Sequence, residues 1–124
     1  MSVLFVEYPK CSTCRKAKGW LDTYGVDYEE RNIKEQNPTA EELAAWHEKS
    51  GLDIKRFFNT SGLVYKEMHL KDRLPEMTLQ EKYELLASDG MLVKRPILVT
   101  EETVLTGFKE ADWDKAIANY RKKG

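Results

Sequence analysis

The chain has 124 residues, of which 41% are hydrophobic and 33% are charged, and its formal net charge at pH 7 is −1. This length suits a single domain with a core of its own, and the near balance of charges excludes a sequence-wide attraction to nucleic acid or to a membrane surface. The N-terminal stretch "MSVLFVEY" lacks the features of a secretory signal, and no apolar run is long enough for a membrane span, so we expect a cytoplasmic protein.

The first predicted elements are a strand, a tight loop and a helix. The apolar run "VLFVEY" predicts a buried strand that stops at Pro9. Beyond Ser12 the apolar residues follow the period of a helix, and Gly25 is placed to end it. The residues of that apolar face are Ala17, Trp20, Leu21 and Tyr24. The segment "VDYEERNI" then predicts a second strand, parallel to the first because a helix crosses between them.

The middle of the chain, about residues 38–90, predicts a helical insertion. Two helices are expected to begin at capping boxes, in which a threonine is followed three residues later by a glutamate. The two boxes are Thr39 with Glu42 and Thr78 with Glu81. Gly51 and Gly90 are expected to end these helices. Between them, "IKRFFNTSGLVYKEM" predicts shorter helical pieces that are interrupted at Gly62.

The C-terminal part of the chain predicts a hairpin and a last helix. "PILVT" and "TVLTG" read as antiparallel strands joined by a two-residue turn at Glu101 and Glu102. The apolar face of the following helix is formed by Trp113, Ala116, Ile117 and Tyr120. The order βαβ, helices, ββα therefore predicts one α/β domain over residues 1–124, with a mixed sheet and a helical insertion in its middle.

Both cysteines of the chain, Cys11 and Cys14, form a C-x-x-C motif at the first strand–helix junction. A zinc site needs four ligands, but the chain has no third cysteine and its two histidines, His47 and His69, are far apart, so no metal is expected. A structural disulfide would close too short a loop to stabilise much. Alternatively, the two cysteines are simply small buried apolar residues. In a cytoplasmic protein, C-x-x-C beside a βαβ pattern favours a redox pair.

The position of Cys11 favours its thiolate. It lies at the start of the predicted helix, where free backbone N–H groups and the helix dipole stabilise an anion. The cations nearest in sequence are Lys10, Arg15 and Lys16, and Glu7 is expected to oppose them. Cys14 lies one helical turn further on and can attack an adduct formed on Cys11. We therefore predict Cys11 as the nucleophile and Cys14 as the resolving thiol, with the N–H of Thr13 directed at a bound anion.

A second motif, "VKRPILV", places Arg95 and Pro96 at the start of a predicted strand. Together with "PKCSTCRKA" and "ERNI", it makes the sequence resemble the ArsC/Spx/YffB family of arsenate-reductase-like proteins along nearly the whole chain. That family has a thioredoxin-like (glutaredoxin-like) fold with a helical insertion. The resemblance implies that Pro96 is a cis-proline and that Arg95 holds an oxyanion near the nucleophile Cys11.

The resemblance also implies an activity and its reductants. The expected protein is a thiol-based oxidoreductase that reduces arsenate, a disulfide or a mixed disulfide. Its substrate-binding residues would be Thr13, Arg95 and Pro96. Cys14 would release the product by forming a disulfide with Cys11, which thioredoxin, glutaredoxin or glutathione would then reduce. Glutathione is a possible co-substrate, and no other cofactor is expected.

Some family positions carry different residues here. The second and third arginines of glutaredoxin-coupled arsenate reductases correspond to Asn59 and to Gly107 or Phe108, and the histidine before the catalytic cysteine corresponds to Glu7. The C-x-x-C itself is shared with Spx, a redox-responsive regulator that binds the C-terminal domain of the RNA polymerase α subunit, and Gly51 aligns with the Spx glycine at that interface. A regulator of this kind is the alternative to an enzyme.

Overall fold

The computed structural model describes residues 2–120. The chain divides into two compact units, one within Met1–Asn32 and Arg95–Gly124 and the other within Ile33–Lys94. The predicted sheet lies in the first unit and the predicted helical insertion in the second. That the chain makes up one domain stays a prediction.

The first unit is built around a four-stranded mixed sheet. Its elements are β1 (Leu4–Glu7), α1 (Ser12–Thr23), β2 (Glu29–Asn32), β3 (Ile97–Val99), β4 (Val104–Thr106) and α6 (Glu110–Ile117). The strand order is β2-β1-β3-β4, with β1 parallel to β2 and antiparallel to β3, and with β3 antiparallel to β4. The predicted βαβ and ββα halves are therefore confirmed, although β2 is shorter than the segment that was predicted.

The two helices of this unit cover one face of the sheet. Phe5 of β1 is opposite Leu98 of β3, so both side chains lie on the same face. They form a buried cluster with residues of α1 and α6, namely Ala17, Leu21, Trp113 and Ile117. The rings of Phe5 and Trp113 meet edge to face, with their centroids 6.1 Å apart. The apolar faces predicted for α1 and α6 thus pack on the side of the sheet that carries Phe5.

The hairpin turn between β3 and β4 is stabilised by a threonine side chain. The Thr100 N–H donates to the Thr103 carbonyl at 2.9 Å. The Thr100 hydroxyl accepts hydrogen bonds from the N–H groups of Glu102 and Thr103, at 3.3 and 3.0 Å. This side chain stabilises the two-residue turn at Glu101 and Glu102, which contains neither glycine nor asparagine.

The second unit consists of helices and short 3-10 turns. The helices are α2 (Ala40–Ser50), α3 (Leu63–Glu67), α4 (Leu70–Arg73) and α5 (Leu79–Ser88), and the turns are Ile54–Phe57, Leu74–Glu76 and Gly90–Leu92. Both predicted capping boxes are present, at Thr39 and Thr78. Gly51 ends α2 in the left-handed conformation, with φ 68°. Gly62 precedes α3, as predicted.

Gly90 does not end its helix in the way the sequence suggested. The helix α5 stops at Ser88, and the extended Asp89 accepts a hydrogen bond from the Met91 N–H through its side chain. Gly90 has no left-handed φ and begins the next 3-10 turn. A Cβ atom on Gly90 would lie 2.4 Å from the Ile33 carbonyl oxygen, so a close backbone approach is the reason for glycine here.

Replacing Gly90 with alanine is expected to destabilise the protein by about 1–3 kcal/mol, because the new methyl group would push the Ile33 backbone away. The measurement is chemical denaturation. Gly19→Ala is the matched control, since Gly19 lies within α1 and a Cβ there meets nothing within 4 Å. The control should be as stable as the wild type or more stable, by roughly 0.5–1 kcal/mol. Equal midpoints for Gly90→Ala and the wild type would contradict the close approach.

Candidate active site

Cys11 lies at the N-terminus of α1, as predicted. It is the N-cap residue, with an extended backbone at φ −90° and ψ 122°. Its N–H donates to the Tyr8 carbonyl at 2.9 Å, and its carbonyl accepts the Arg15 N–H at 3.0 Å. These two bonds fix the loop that joins β1 to α1. The Cys11 side chain is only partly buried, so its sulfur remains accessible from the helix N-terminus.

The surroundings of Cys11 favour its thiolate. Burial alone would raise the pKa of this thiol, but the backbone N–H and thiol of Cys14, the charge of Arg95 and the N–H of Thr13 together lower it below the ordinary value of 9.0. The side chain of Cys11 forms no capping hydrogen bond of standard geometry, so these N–H groups act through their partial charges. Cys11 is therefore the more acidic of the two thiols.

Cys14 has the opposite character. Its side chain is completely buried, and its sulfur accepts a hydrogen bond from the Tyr8 N–H at 3.5 Å. Burial raises the pKa of this thiol to about 12, and the hydrogen bond and charge of Cys11 and the charge of Glu7 add to the effect. At neutral pH the pair thus consists of one activated sulfur and one protonated sulfur, and both thiols are free.

Arg95 contributes a cation whose hydrogen-bonding groups are available. Its charge lowers the pKa of Cys11, and its guanidinium carbon lies 5.3 Å from the centre of the Tyr8 ring. Its Nε and Nη1 atoms are buried and have no hydrogen-bond partner among residues 2–120. Buried donors without a partner reduce the stability of the fold, unless a ligand accepts hydrogen bonds from them. The Arg95–Pro96 peptide bond is cis, which confirms the geometry expected for Pro96.

Glu7 is a buried carboxyl group beside the two thiols. Only 3% of Glu7 is exposed, although glutamate is rarely buried in proteins, and Glu7 is the last residue of the otherwise apolar strand β1. Burial, together with the charge and hydrogen bond of Glu30, raises its pKa from 4.5 to about 7, while Lys18 partly opposes the shift. Lys18 in turn forms an ion pair with Glu30, at 2.7 Å between Nζ and Oε1.

The structure brings together only some of the predicted site residues. Cys14 and Arg95 both act on Cys11, whereas Lys10 and Arg15 are exposed, and the cation that lowers the Cys11 pKa is Arg95. Thr13 is exposed on the first turn of α1, and its N–H acts on Cys11. The catalytic and binding roles given to these residues stay predictions.

Three further residues of this region have features that were not predicted from the sequence. Glu7 is buried, and Tyr8 provides both a ring beside Arg95 and an N–H for the Cys14 sulfur. Thr106 on β4 has a buried hydroxyl oxygen with no partner among the described residues. The only sequence signal for these features was the position of Glu7, a glutamate in the otherwise apolar run "VLFVEY".

The part of the chain that the structure describes holds neither a cluster of metal ligands nor a helix that could span a membrane. Within residues 2–120, no group of three or more histidine, cysteine, aspartate or glutamate side chains could hold a metal ion. In the same part of the chain, every helix is too short or too polar to cross a membrane.

The mixed sheet with two helices on one face, the cis-proline before β3 and the C-x-x-C at the head of α1 define a protein of the thioredoxin-like fold. The model of the ArsC family matches residues 6–116, and the chain belongs to that family.

Individual relatives include proteins of different kinds. The uncharacterised protein YusI of Bacillus subtilis is 55% identical over 93% of this chain and 98% of its own length. The global transcriptional regulator Spx of Enterococcus faecalis is 31% identical over 82% of this chain and 76% of Spx. A crystal structure of an ArsC family related protein from Bacteroides fragilis is 56% identical, with a TM-score of 0.90 and coverage of 93% of this chain and 97% of that one.

Proposed function

We propose that the protein is a thiol-based oxidoreductase in which Cys11 is the nucleophile and Cys14 the resolving thiol. The observation that supports this best is the contrast between the two sulfurs: Cys11 is accessible with a lowered pKa, whereas Cys14 is buried with a pKa of about 12. A thiolate attacks disulfides and a thiol does not, so attack begins at Cys11. The expected setting is the reducing cytoplasm.

The reaction proceeds in two exchanges. The Cys11 thiolate attacks one sulfur of a disulfide substrate, a bond forms between the two sulfurs, and the other half of the substrate leaves as a thiolate. Cys14 then loses its proton and attacks the Cys11 sulfur, which releases the second half as a thiolate and forms the Cys11–Cys14 disulfide. A reductant of the thioredoxin, glutaredoxin or glutathione class supplies the two electrons that restore both thiols.

Arg95 stabilises the negative charge that moves through this site. Its buried Nε and Nη1 groups can donate hydrogen bonds to an anionic group of the substrate or to the leaving thiolate. Arsenate is the alternative substrate, attacked at arsenic instead of sulfur. In sequence, Asn59 and either Gly107 or Phe108 correspond to the second and third arginines of glutaredoxin-coupled arsenate reductases, and neutral residues there favour a mixed disulfide over a multiply charged oxyanion as substrate.

The proposed activity is tested by multiple-turnover assays with the full chain. Arsenate and a glutathione mixed disulfide are supplied separately, each with a thioredoxin system or with glutathione and glutaredoxin, and reductant consumption is followed. We expect turnover of the mixed disulfide with at least one reductant and little or none of arsenate. Turnover of arsenate alone would replace the proposed substrate, and the absence of turnover in all four combinations would contradict an enzyme.

The second candidate function is a thiol-based regulator, which is favoured by the Spx relatives and by the C-x-x-C shared with them. In that case the thiol pair is a redox switch, and the partner is the C-terminal domain of the RNA polymerase α subunit. Gly51 does end α2 in the left-handed conformation, which by itself accounts for a glycine there. Oxidation-dependent binding of that domain, without turnover of any substrate, would favour the regulator.

A further inference from the structure

The helical unit within Ile33–Lys94 contains a cavity that the proposed thiol chemistry does not use. Its volume is about 160 Å³, and it is partly open to solvent. The 3-10 turns Ile54–Phe57 and Leu74–Glu76 and the helices α3, α4 and α5 all contribute to its walls. Every lining residue lies between positions 53 and 82, so the cavity belongs to this unit alone.

The floor of the cavity is apolar and partly aromatic. It is formed by Ile54, Phe58, Tyr65 and Leu74, each of which is at most 9% exposed. The rings of Phe58 and Tyr65 meet edge to face, with their centroids 6.3 Å apart. In another protein, an engineered apolar cavity of about 150 Å³ binds benzene. This cavity therefore has room for one aromatic ring.

The rim of the cavity is positively charged, although the chain as a whole is not. Lys55, Lys71 and Lys82 line it together with a single acidic residue, Asp53, which leaves two net positive charges at the cavity in a chain whose formal net charge is −1. Within residues 2–120, none of the three ammonium groups forms an ion pair. The Asp53 side chain accepts a hydrogen bond from the backbone N–H of Lys55, at 2.9 Å.

An apolar floor and a positive rim together define the ligand that would complement the cavity. Like charges around a small volume repel one another, and an anion bound between them relieves the repulsion. An inorganic anion would leave the apolar floor unoccupied, and a neutral ring would leave the ammonium groups without a partner. The Tyr65 hydroxyl, which has no hydrogen-bond partner in the described part of the chain, is a further donor for a polar group.

We propose that this cavity binds a small aromatic anion, with the ring on the apolar floor and a phosphate or carboxylate substituent among the three ammonium groups. Lysine binds anions as a point charge. A phosphate monoester carries about 1.5 to 2 negative charges at pH 7, so it matches the two net positive charges better than a carboxylate does. The inference goes beyond the proposed function, because it gives the helical unit a ligand whichever substrate the thiols reduce.

The test is a titration of the full chain, labelled with nitrogen-15, that follows amide chemical shifts by NMR at pH 7 and constant ionic strength. The probes are phenyl phosphate, benzoate, benzyl alcohol and inorganic phosphate. Phenyl phosphate should bind about tenfold more tightly than benzyl alcohol or inorganic phosphate, because burial of the ring and the contacts with the lysines each contribute roughly tenfold. Benzoate should fall between them. The largest shifts should be those of Phe58 and Tyr65.

Variants of the rim and of the floor separate the two parts of the site. Lys82→Gln should weaken phenyl phosphate binding by about two- to fivefold and leave benzyl alcohol binding unchanged. Lys66→Gln is the matched control, because it removes the same charge from an exposed residue of α3 that does not line the cavity. Leu74→Trp keeps all the lysines but fills the cavity with a ring, so it should abolish binding of both phenyl phosphate and benzyl alcohol.

Several results would overturn the proposal. Equal affinities for phenyl phosphate and benzyl alcohol would show that the lysines take no part, and equal affinities for phenyl phosphate and inorganic phosphate would show that the ring does not enter the cavity. An effect of Lys66→Gln as large as that of Lys82→Gln would indicate a general surface field.

Two further outcomes would replace the proposed occupant. If about 10 mM phenyl phosphate causes no shifts, the aliphatic parts of the lysine side chains merely cover the apolar floor. If a peptide with phenylalanine between two aspartates binds more tightly than phenyl phosphate, the occupant is a segment of a partner protein and not a small molecule. The lysine variants change surface residues, so they test the proposal even if Leu74→Trp does not fold.

Discussion

Replacing Cys11 with serine is expected to abolish turnover of a mixed disulfide, because no other sulfur of the chain is accessible and acidic. Cys14 is completely buried with a pKa of about 12, so its thiolate is scarce at neutral pH and cannot take over the attack. Because a serine hydroxyl is a poor nucleophile, the turnover rate should fall by more than about 1,000-fold, to the detection limit of a coupled assay. Circular dichroism should show an unchanged fold.

Cys14→Ser is the variant that separates attack from resolution. It keeps the Cys11 nucleophile but lacks the sulfur that would release the product, so a covalent adduct on Cys11 should accumulate. Intact-protein mass spectrometry after mixing with oxidised glutathione would detect one glutathione per chain in Cys14→Ser and none in Cys11→Ser. If Cys11→Ser acquires the adduct and Cys14→Ser does not, the two roles are reversed. A retained turnover in Cys11→Ser would exclude Cys11 as the nucleophile.

The local part of this architecture could be predicted from the sequence because its causes are local. Apolar periodicity predicted α1, and the capping boxes at Thr39 and Thr78 predicted the starts of α2 and α5. The second strand was predicted too long for a physical reason. The N–H of Val26 donates to the Leu21 carbonyl at the end of α1, so the chain is still closing the helix where the alternating pattern suggested a strand.

The errors and omissions arise from contacts between distant parts of the chain. From the sequence, Gly90 was expected to end a helix. The structure shows that glycine is needed there because a Cβ atom would collide with the Ile33 carbonyl oxygen. Local spacing predicted Cys11 at a helix N-terminus, but the neighbouring lysines and arginine in sequence were expected to supply its positive charge. The charge comes from Arg95, which the sheet brings beside α1 and which was identified through the resemblance alone.

The energetics of the site could not be inferred from residue types. Glu7 was expected only to oppose the positive charges near Cys11. Its burial on the α1 face of the sheet, together with the charge and hydrogen bond of Glu30, raises its pKa to about 7. The hydrogen bond to Glu30 on the neighbouring strand is not visible in a run of four strand residues.

Replacing Arg95 with methionine is expected to reduce the reactivity of Cys11 at pH 7 by about tenfold, the kinetic equivalent of about 1.4 kcal/mol, because the guanidinium charge acts on the thiol through space and not through a hydrogen bond. Arg95 favours the charged form of the thiol and lowers its pKa. Removing the guanidinium should therefore raise that pKa toward 9.0, and the curve of alkylation rate against pH should shift to higher pH. The measurement is the rate of iodoacetamide alkylation of Cys11 between pH 5 and 10, with Cys14→Ser as the background.

We expect the Arg95→Met variant to be as stable as the wild type, although its Cys11 is less reactive. The Nε and Nη1 groups of Arg95 are buried without partners, so an apolar side chain of similar length removes their desolvation penalty, roughly 1–3 kcal/mol, in exchange for the contact with Tyr8. A residue kept for the fold would show the reverse, a loss of stability with little change in thiol reactivity.

Two further variants make the Arg95 experiment specific. Lys94→Gln removes one positive charge from the exposed neighbouring residue and should leave the alkylation curve unchanged. Arg95→Lys keeps the charge but loses the planar set of donors, so it should retain most of the pKa effect and little of the turnover. Because pKa depends on charge and turnover depends on the geometry of the donors, the two measurements separate activation of the thiolate from binding of the substrate. An Arg95→Met curve that overlays the wild-type curve would mean that Arg95 does not act on Cys11.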